Sequence, residues 1–317
     1  MSRRLPMLGQ AEVPARAGRG SRSGAPWPPR TKAWAQMHLC VFLWGFTAIL
    51  GKLITLPAVP LVWWRMGLVS VALALVPRVR RGVVRLSPRQ RVIYGLIGAV
   101  LSLHWLAFYG AIKLANASVA ATCMALGPVF MAFIEPVIVG RAFERRELVF
   151  GAAAVPGVAM VVGGTPASMH LGLLAGVAAA ALVAVFGALN KRFVEHAAAL
   201  TVTFLEMAAG VACLSVVAAL WPGSNAMIRL PDLHDAALLV VLAAGCTLLP
   251  FALSLVALRQ LSAFDSALAV NLEPLYAVLM AIPLFGEQRE LGIQFYTGGA
   301  IILGVVLAHP WLSRRSR

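Results

Sequence analysis

The feature that most constrains this chain is the spacing of its apolar residues. They fall in ten blocks of about 18 to 25, near 34–54, 58–76, 90–112, 117–139, 148–164, 170–189, 199–220, 236–257, 264–284 and 291–309. A helix rises 1.5 Å per residue and bilayer hydrocarbon is roughly 30 Å thick, so blocks of this length predict membrane-spanning helices. Barrel strands would alternate apolar and polar residues, and these blocks do not. Composition agrees: 60% of the 317 residues are hydrophobic and 12% charged, against about 25% charged in soluble proteins.

The charge needs a location before it can be interpreted. Lys and Arg total 27 against 12 Asp and Glu, a net +15, which on a soluble chain would suggest nucleic acid. With ten spans both termini share one side, and the positive-inside rule puts them in the cytoplasm of a cell that carries the chain in its inner membrane. The basic residues of segment 1–33, of the loop from Arg78 to Arg91, Arg141, Arg145, Arg146, Lys191, Arg192, Arg259, Arg314, Arg315 and Arg317 then lie inside. Only Lys113, Arg229 and Arg289 fall outside, and Lys52 and Arg65 within spans. The excess is a topology signal that suits anionic lipid headgroups and gives no reason to expect nucleic acid. Residues 1–33, rich in Arg, Gly, Pro and Ser, read as a disordered basic tail, with 310–317 a second short tail.

Cys40, Cys123, Cys213 and Cys246 all sit in apolar blocks without metal-ligand spacing, so neither a disulfide framework nor a metal is expected. No phosphate-binding loop, zinc-protease helix or nucleophile elbow occurs, so no cofactor is expected, and an intramembrane enzyme is an alternative without a catalytic constellation. A channel or receptor-type protein is the other alternative.

An internal duplication narrows the choice. Sliding residues 90–140 by 146 sets Lys113 on Arg259, Pro128 on Pro274 and Gly140 on Gly286. A shift of 139 sets Lys52 on Lys191. The halves, 34–164 and 165–309, each hold five spans, so the second enters the membrane from the opposite side. The fold class is therefore an all-α integral membrane protein of ten transmembrane helices in two inverted five-helix repeats, an architecture of secondary transporters. Small residues at four-residue spacing, Gly172, Gly176, Ala180 and Ala184, and again Ala300, Gly304 and Ala308, read as packing within the bundle or as a homodimer face.

The order of these landmarks, with Trp44-Gly45 and Lys52 in span one, Pro128 and Pro274 in the equivalent spans four and nine, and Gly286-Glu287 before span ten, resembles the drug/metabolite transporter superfamily, EamA type. The resemblance implies a largely apolar central cavity and movement of small organic metabolites. Glu135-Pro136 and Asn271-Leu272-Glu273-Pro274 depart from the usual apolar pattern and point to a more polar substrate.

Ionisable residues at membrane depth normally face a partner or a watery cavity. Glu273 falls at mid-span beside Pro274, which would kink the helix and free the Val270 carbonyl. Asn271 and Tyr276 lie close by. Arg65, after Trp63 and Trp64, reads either as a snorkelling cation in an interfacial aromatic belt or as a cavity cation. Its repeat equivalent is Glu206, so the pair are candidate gates. Lys52 near the outer end of span one and His104 in span three complete the candidate substrate-binding set of Lys52, Arg65, His104, Asn271, Glu273 and Tyr276, with Glu206 and Glu273 for coupling or gating. Glu135 is expected to pair with a nearby arginine and Asp265 to cap a helix. The reading is a secondary transporter, an exporter, of a small amino-acid-like or carboxylate-bearing solute.

Overall fold

The structure, a computed structural model, describes residues 29–193, 197–220, 230–270 and 272–314. Among them the chain is helical throughout, without strands. The first half comprises α1 (Pro29–Leu53), α2 (Ala58–Ala74), α3 (Pro77–Arg85), α4 (Pro88–Leu114), α5 (Ala117–Met124), α6 (Gly127–Glu135) and α7 (Arg145–Gly163). The second comprises α8 (His170–Phe193), α9 (Ala199–Leu220), α10 (Leu233–Ala243), α11 (Leu249–Ala257), α12 (Ala263–Val270), α13 (Leu272–Phe285) and α14 (Ile293–Arg314).

Six stretches, Arg30–Leu53, Pro88–Leu114, Ala117–Gly140, Ala167–Phe193, Ala199–Leu220 and Leu233–Ala257, are long and apolar enough to cross a membrane. The pair α2 and α3, bent by 92°, makes a seventh only if counted as one span, and Gly151–Gly163, Leu272–Phe285 and Ile293–Val305 are shorter apolar helices. The protein is therefore a multi-pass integral membrane protein.

Two local departures from the sequence reading have simple causes. Residues 29–33, expected to be disordered, form the first turns of α1, because Pro29 suits a helix start and Ala33 and Met37 are buried near Ala257 and Leu261. The Arg78–Arg91 stretch, expected to be a loop, holds α3, turned by 92° from α2. Its Val79 is buried while Arg78, Arg80, Arg81 and Arg85 are exposed, so one face packs and the rest stays polar.

Hydrogen bonds at the helix ends fix which ends share a face. Tyr94 at the start of α4 donates to the Phe193 carbonyl at the end of α8. Lys191 donates to Leu258 and Leu261 past α11, Arg192 to Ile138, and Arg30 lies 3.7 Å from Asp265. These ends, with α3, form a basic face. At the opposite end Thr55 meets Asp235, Lys113 meets the Ile54 carbonyl and Asn116 meets Glu290. Helix α1 thus starts at the basic face, whereas its repeat equivalent α8 ends there.

The halves join through α2 with α9, α7 with α14, α4 with α8 and α9, and α5 with α13. Helices α7 and α14 approach until a Cβ on Gly157 or Gly298 would strike the other's backbone. Among the described residues the two glycines with positive φ are the repeat landmarks Gly140 (φ +81) and Gly286 (φ +67), each following a helix end as only glycine does cheaply. Of the small-residue stripes, the first packs inside the bundle: Gly172 faces Ala115, Gly176 faces Cys123, and Ala180 and Ala184 are buried. In the second, Ala300 and Gly304 are exposed.

Candidate functional site

Proline is what opens the middle of the protein. Pro128 has no N–H for the carbonyl of Met124, and α5 gives way to α6 through a tightened turn at Ala125 and Leu126. Pro250 likewise leaves the Cys246 carbonyl unpaired, within a π-helical turn at Ala244–Leu248. That freed carbonyl is taken by Arg65.

Arg65 is only 1% exposed and is held on three sides. Its Nε donates to Thr247 Oγ1 at 2.6 Å, one terminal nitrogen to Tyr109 Oη at 2.8 Å and the other to the Cys246 carbonyl at 3.2 Å. The guanidinium lies 3.7 Å from the Trp105 ring centroid, a cation–π stack that Arg favours over Lys. It does not snorkel. It lines a cavity of about 130 Å³, smaller than the roughly 300 to 1,000 Å³ of drug-sized sites.

Repeat-related residues of both halves line the cavity. Trp44 and Val183, and Thr47 and Phe186, are equivalent at the shift of 139. Trp105 and Phe251, Phe108 and Ser254, Met124 and Val270, and Gly127 and Glu273 are equivalent at 146. All twelve line the cavity. The walls are predominantly apolar, with Thr47, Arg65, His104, Ser254, Ser266 and Glu273 as their polar side chains. The apolar cavity implied by the resemblance is present, with a few charges set into it. Glu273 has no hydrogen-bonding partner among the described residues and lies within electrostatic reach of Arg65. His104 Nδ1 is 2.8 Å from the Ala179 carbonyl, which fixes the tautomer with Nε2 as acceptor.

Of the expected site residues, Arg65, His104 and Glu273 come together here, and Asn271 lies outside the described residues. Tyr276 does not line the cavity: it packs over Gly45, with its ring edge-on to Phe42. Lys52 is 3.0 Å from Glu287 at the end opposite the basic face. Glu206, expected as a gate with Arg65, is not among the lining residues and is fully buried beneath Gly98. Glu135 pairs with Arg141 at 3.3 Å, and Asp265 exchanges helix-start hydrogen bonds with Ser262.

Glu287, cited above only as a landmark, is the largest omission of the sequence reading. Its carboxylate is fully buried and accepts from Lys52 Nζ, from the Ala117 amide at 3.1 Å and from the Ser118 amide at 2.8 Å, at the N-terminus of α5. An acid at a helix start is favoured by the exposed amides and the helix dipole. It ties the α13–α14 turn of the second half to α1 and α5 of the first. Val183, Phe186, Phe251, Ser254, Ser266 and Val270 line the cavity from the helix halves nearer the basic face, away from this tie.

A cavity lined by repeat-related residues of both halves inside an apolar helical bundle is an arrangement found in secondary transporters. The EamA-like transporter family matches residues 33–163 and 170–309, one match per half. The chain belongs to that family, which is one of transporters and not of enzymes. It is also similar to 23 chains of solved structures. One, titled "Crystal structure of protein", is 19% identical, with a TM-score of 0.64 over 90% of this chain and 99% of that one, a likeness of fold alone. No curated protein matches.

Proposed function

We propose that the protein is a secondary transporter of a small solute carrying a carboxylate, amino-acid-like in having an amine as well. The carrying observation is that Arg65 and Glu273 line one small apolar cavity formed by both halves. A buried guanidinium has five N–H donors. Thr247, Tyr109 and Cys246 take one each, which leaves donors for a solute carboxylate. Glu273, without a protein partner, receives the ammonium end. The aromatic walls supply apolar contact and exclude water, which strengthens both charge contacts.

Ten spans in two inverted repeats, with both termini cytoplasmic, account for the antiparallel α1 and α8 and for the basic face. On that orientation the cavity lies toward the cytoplasm and the Glu287 tie closes the outside, the state in which an exporter loads. Alternating access then consists of breaking the Glu287 tie while the basic end closes over the cavity.

The test is flux in proteoliposomes of purified full-length protein, with a labelled α-amino acid, its decarboxylated amine and its deaminated acid compared side by side. The amino acid should move fastest. Glu273→Gln should erase its advantage over the acid, and Arg65→Gln its advantage over the amine. Equal flux of all three in the wild type would reject the zwitterion, and conversion of a lipid without any solute flux would reject the transporter.

A further inference from the structure

Among the described residues four carboxylates are buried: Glu135, Glu206, Asp235 and Glu287. Three have partners, in Arg141, in Thr55, and in Lys52 with two amides. Glu206 differs. It is 0% exposed, and neither of its oxygens has a hydrogen bond. Asn190, also 0% exposed, has an unbonded amide oxygen and nitrogen. The two side chains are close enough to interact without reaching hydrogen-bond geometry. An unpaired buried carboxylate costs several kcal/mol and an unpaired amide about 1 to 3. Two such groups side by side call for something between them or on them.

Among the described residues, the charged and titratable groups on the elements around this pocket are engaged elsewhere or exposed. From α4, the Tyr94 hydroxyl donates to Phe193. From α8, Lys191 donates to Leu258 and Leu261. Arg259, past α11, donates to the Ala197 carbonyl. From α2, Arg65 is held by Thr247, Tyr109 and Cys246. From α3, the four arginines are exposed, and Gly82 makes the close contact to Thr201 of α9. None forms an ion pair with Glu206. A metal cation is poorly served too: Glu206 and Asn190 offer two carboxylate oxygens and one amide oxygen, where a hard cation takes about six.

We propose that the Glu206–Asn190 pocket is a proton-binding site, separate from the solute cavity. A hydronium ion at the basic face gives its proton to a Glu206 carboxylate oxygen, forming the carboxylic acid and water. The acid O–H then faces the Asn190 amide oxygen. Glu206 is seven residues into α9, about 10 Å from the basic end, and Asn190 is one turn beyond the cavity-lining Gly187. The pocket is covered by the other half: a Cβ on Gly98 of α4 would collide with the Glu206 backbone. Movement of α4 against α8 and α9 therefore hydrates or reseals the site. That coupling step rests on the alternating-access reading; the site itself does not.

Infrared difference spectroscopy on the full chain in lipid nanodiscs tests the site without any solute. A carbonyl stretch of a protonated carboxyl group should titrate with pH in the wild type, vanish in Glu206→Gln and persist in Glu273→Gln. A spectrum unchanged by Glu206→Gln overturns the proposal, as does a band that sodium chloride abolishes at constant pH, which would mark a metal-cation site. Should Glu206→Gln not fold, Asn190→Leu takes its place: the band's midpoint should move by about one pH unit, and an unmoved midpoint overturns the proposal. Flux measurements fail or succeed independently, so loss of this site leaves the solute reading standing.

Discussion

The two halves shape the cavity alike and charge it differently. At six repeat-related pairs they supply lining residues, yet Trp44 faces the role of Val183, Phe108 that of Ser254, and Gly127 that of Glu273. Their ends differ more. Lys52 is equivalent to Lys191 and Glu287 to Arg141. One end therefore holds an acid–base tie, whereas at the other two cations turn elsewhere, Lys191 to carbonyls and Arg141 to Glu135. Duplication thus preserves backbone features, such as the prolines and positive-φ glycines, while side-chain charge at the two ends differs.

The largest effect should come from removing the tie. Glu287→Ala leaves Lys52 and the amides of Ala117 and Ser118 without their acceptor, and breaking a buried charged network costs about 3 to 5 kcal/mol. Lys191→Ala at the other end loses two hydrogen bonds to carbonyls, about 1 to 3 kcal/mol. Unfolding titrations in detergent micelles compare the two. Equal losses would mean that the ends are closed with equal strength and would break the contrast drawn here.

The next effect concerns the seam between the halves. Gly98→Ala puts a methyl group into the Glu206 backbone, which cannot move aside as a flexible side chain could. Overpacking of this kind costs about 1 to 3 kcal/mol, read by the same titration. Gly304→Ala, with nothing within 4 Å of its Cβ, is the control and should change little.

Arg65→Lys sharpens the chemical side of the contrast. Lysine keeps the charge but loses the planar fork that meets Thr247, Tyr109 and the Cys246 carbonyl, and most of the stack on Trp105. Amino-acid flux should fall about tenfold, a loss of ~1.4 kcal/mol. Flux unchanged in this variant would mean that a point charge suffices and that the fork has no part in recognition.

The sequence made the repeat, most helix positions to within a few residues and three of the cavity's ionisable residues readable, because each is written in local pattern: apolar length, proline, and charge at mid-span. Arg65 left two readings, a snorkelling cation or a cavity cation, and the neighbouring Tyr109, Trp105 and Thr247 decided between them. The role of Glu287 was not readable, since its partners stand 235 and about 170 positions away. Nor was the pairing of Glu206 with Asn190, which depends on how α8 and α9 face each other under Gly98. Helix α3 was missed because its apolar face is too short to register beside six basic residues in the fourteen-residue stretch from Arg78 to Arg91 read by charge.

The smallest effect on stability, and the finest test of the cavity's asymmetry, is expected at Gly127. Its Cβ would sit 3.9 Å from Val183 Cγ1, an ordinary contact, and its φ is not positive. Alanine there should therefore leave stability within about 0.5 kcal/mol, or raise it, since glycine costs entropy at a helical position. Yet the added methyl group points into the cavity at the position equivalent to Glu273. If the cavity holds the solute between the two halves, Gly127→Ala should slow flux of an amino acid with a bulky side chain while sparing glycine. Equal slowing of both would place the narrow point of the path somewhere other than between Gly127 and Glu273.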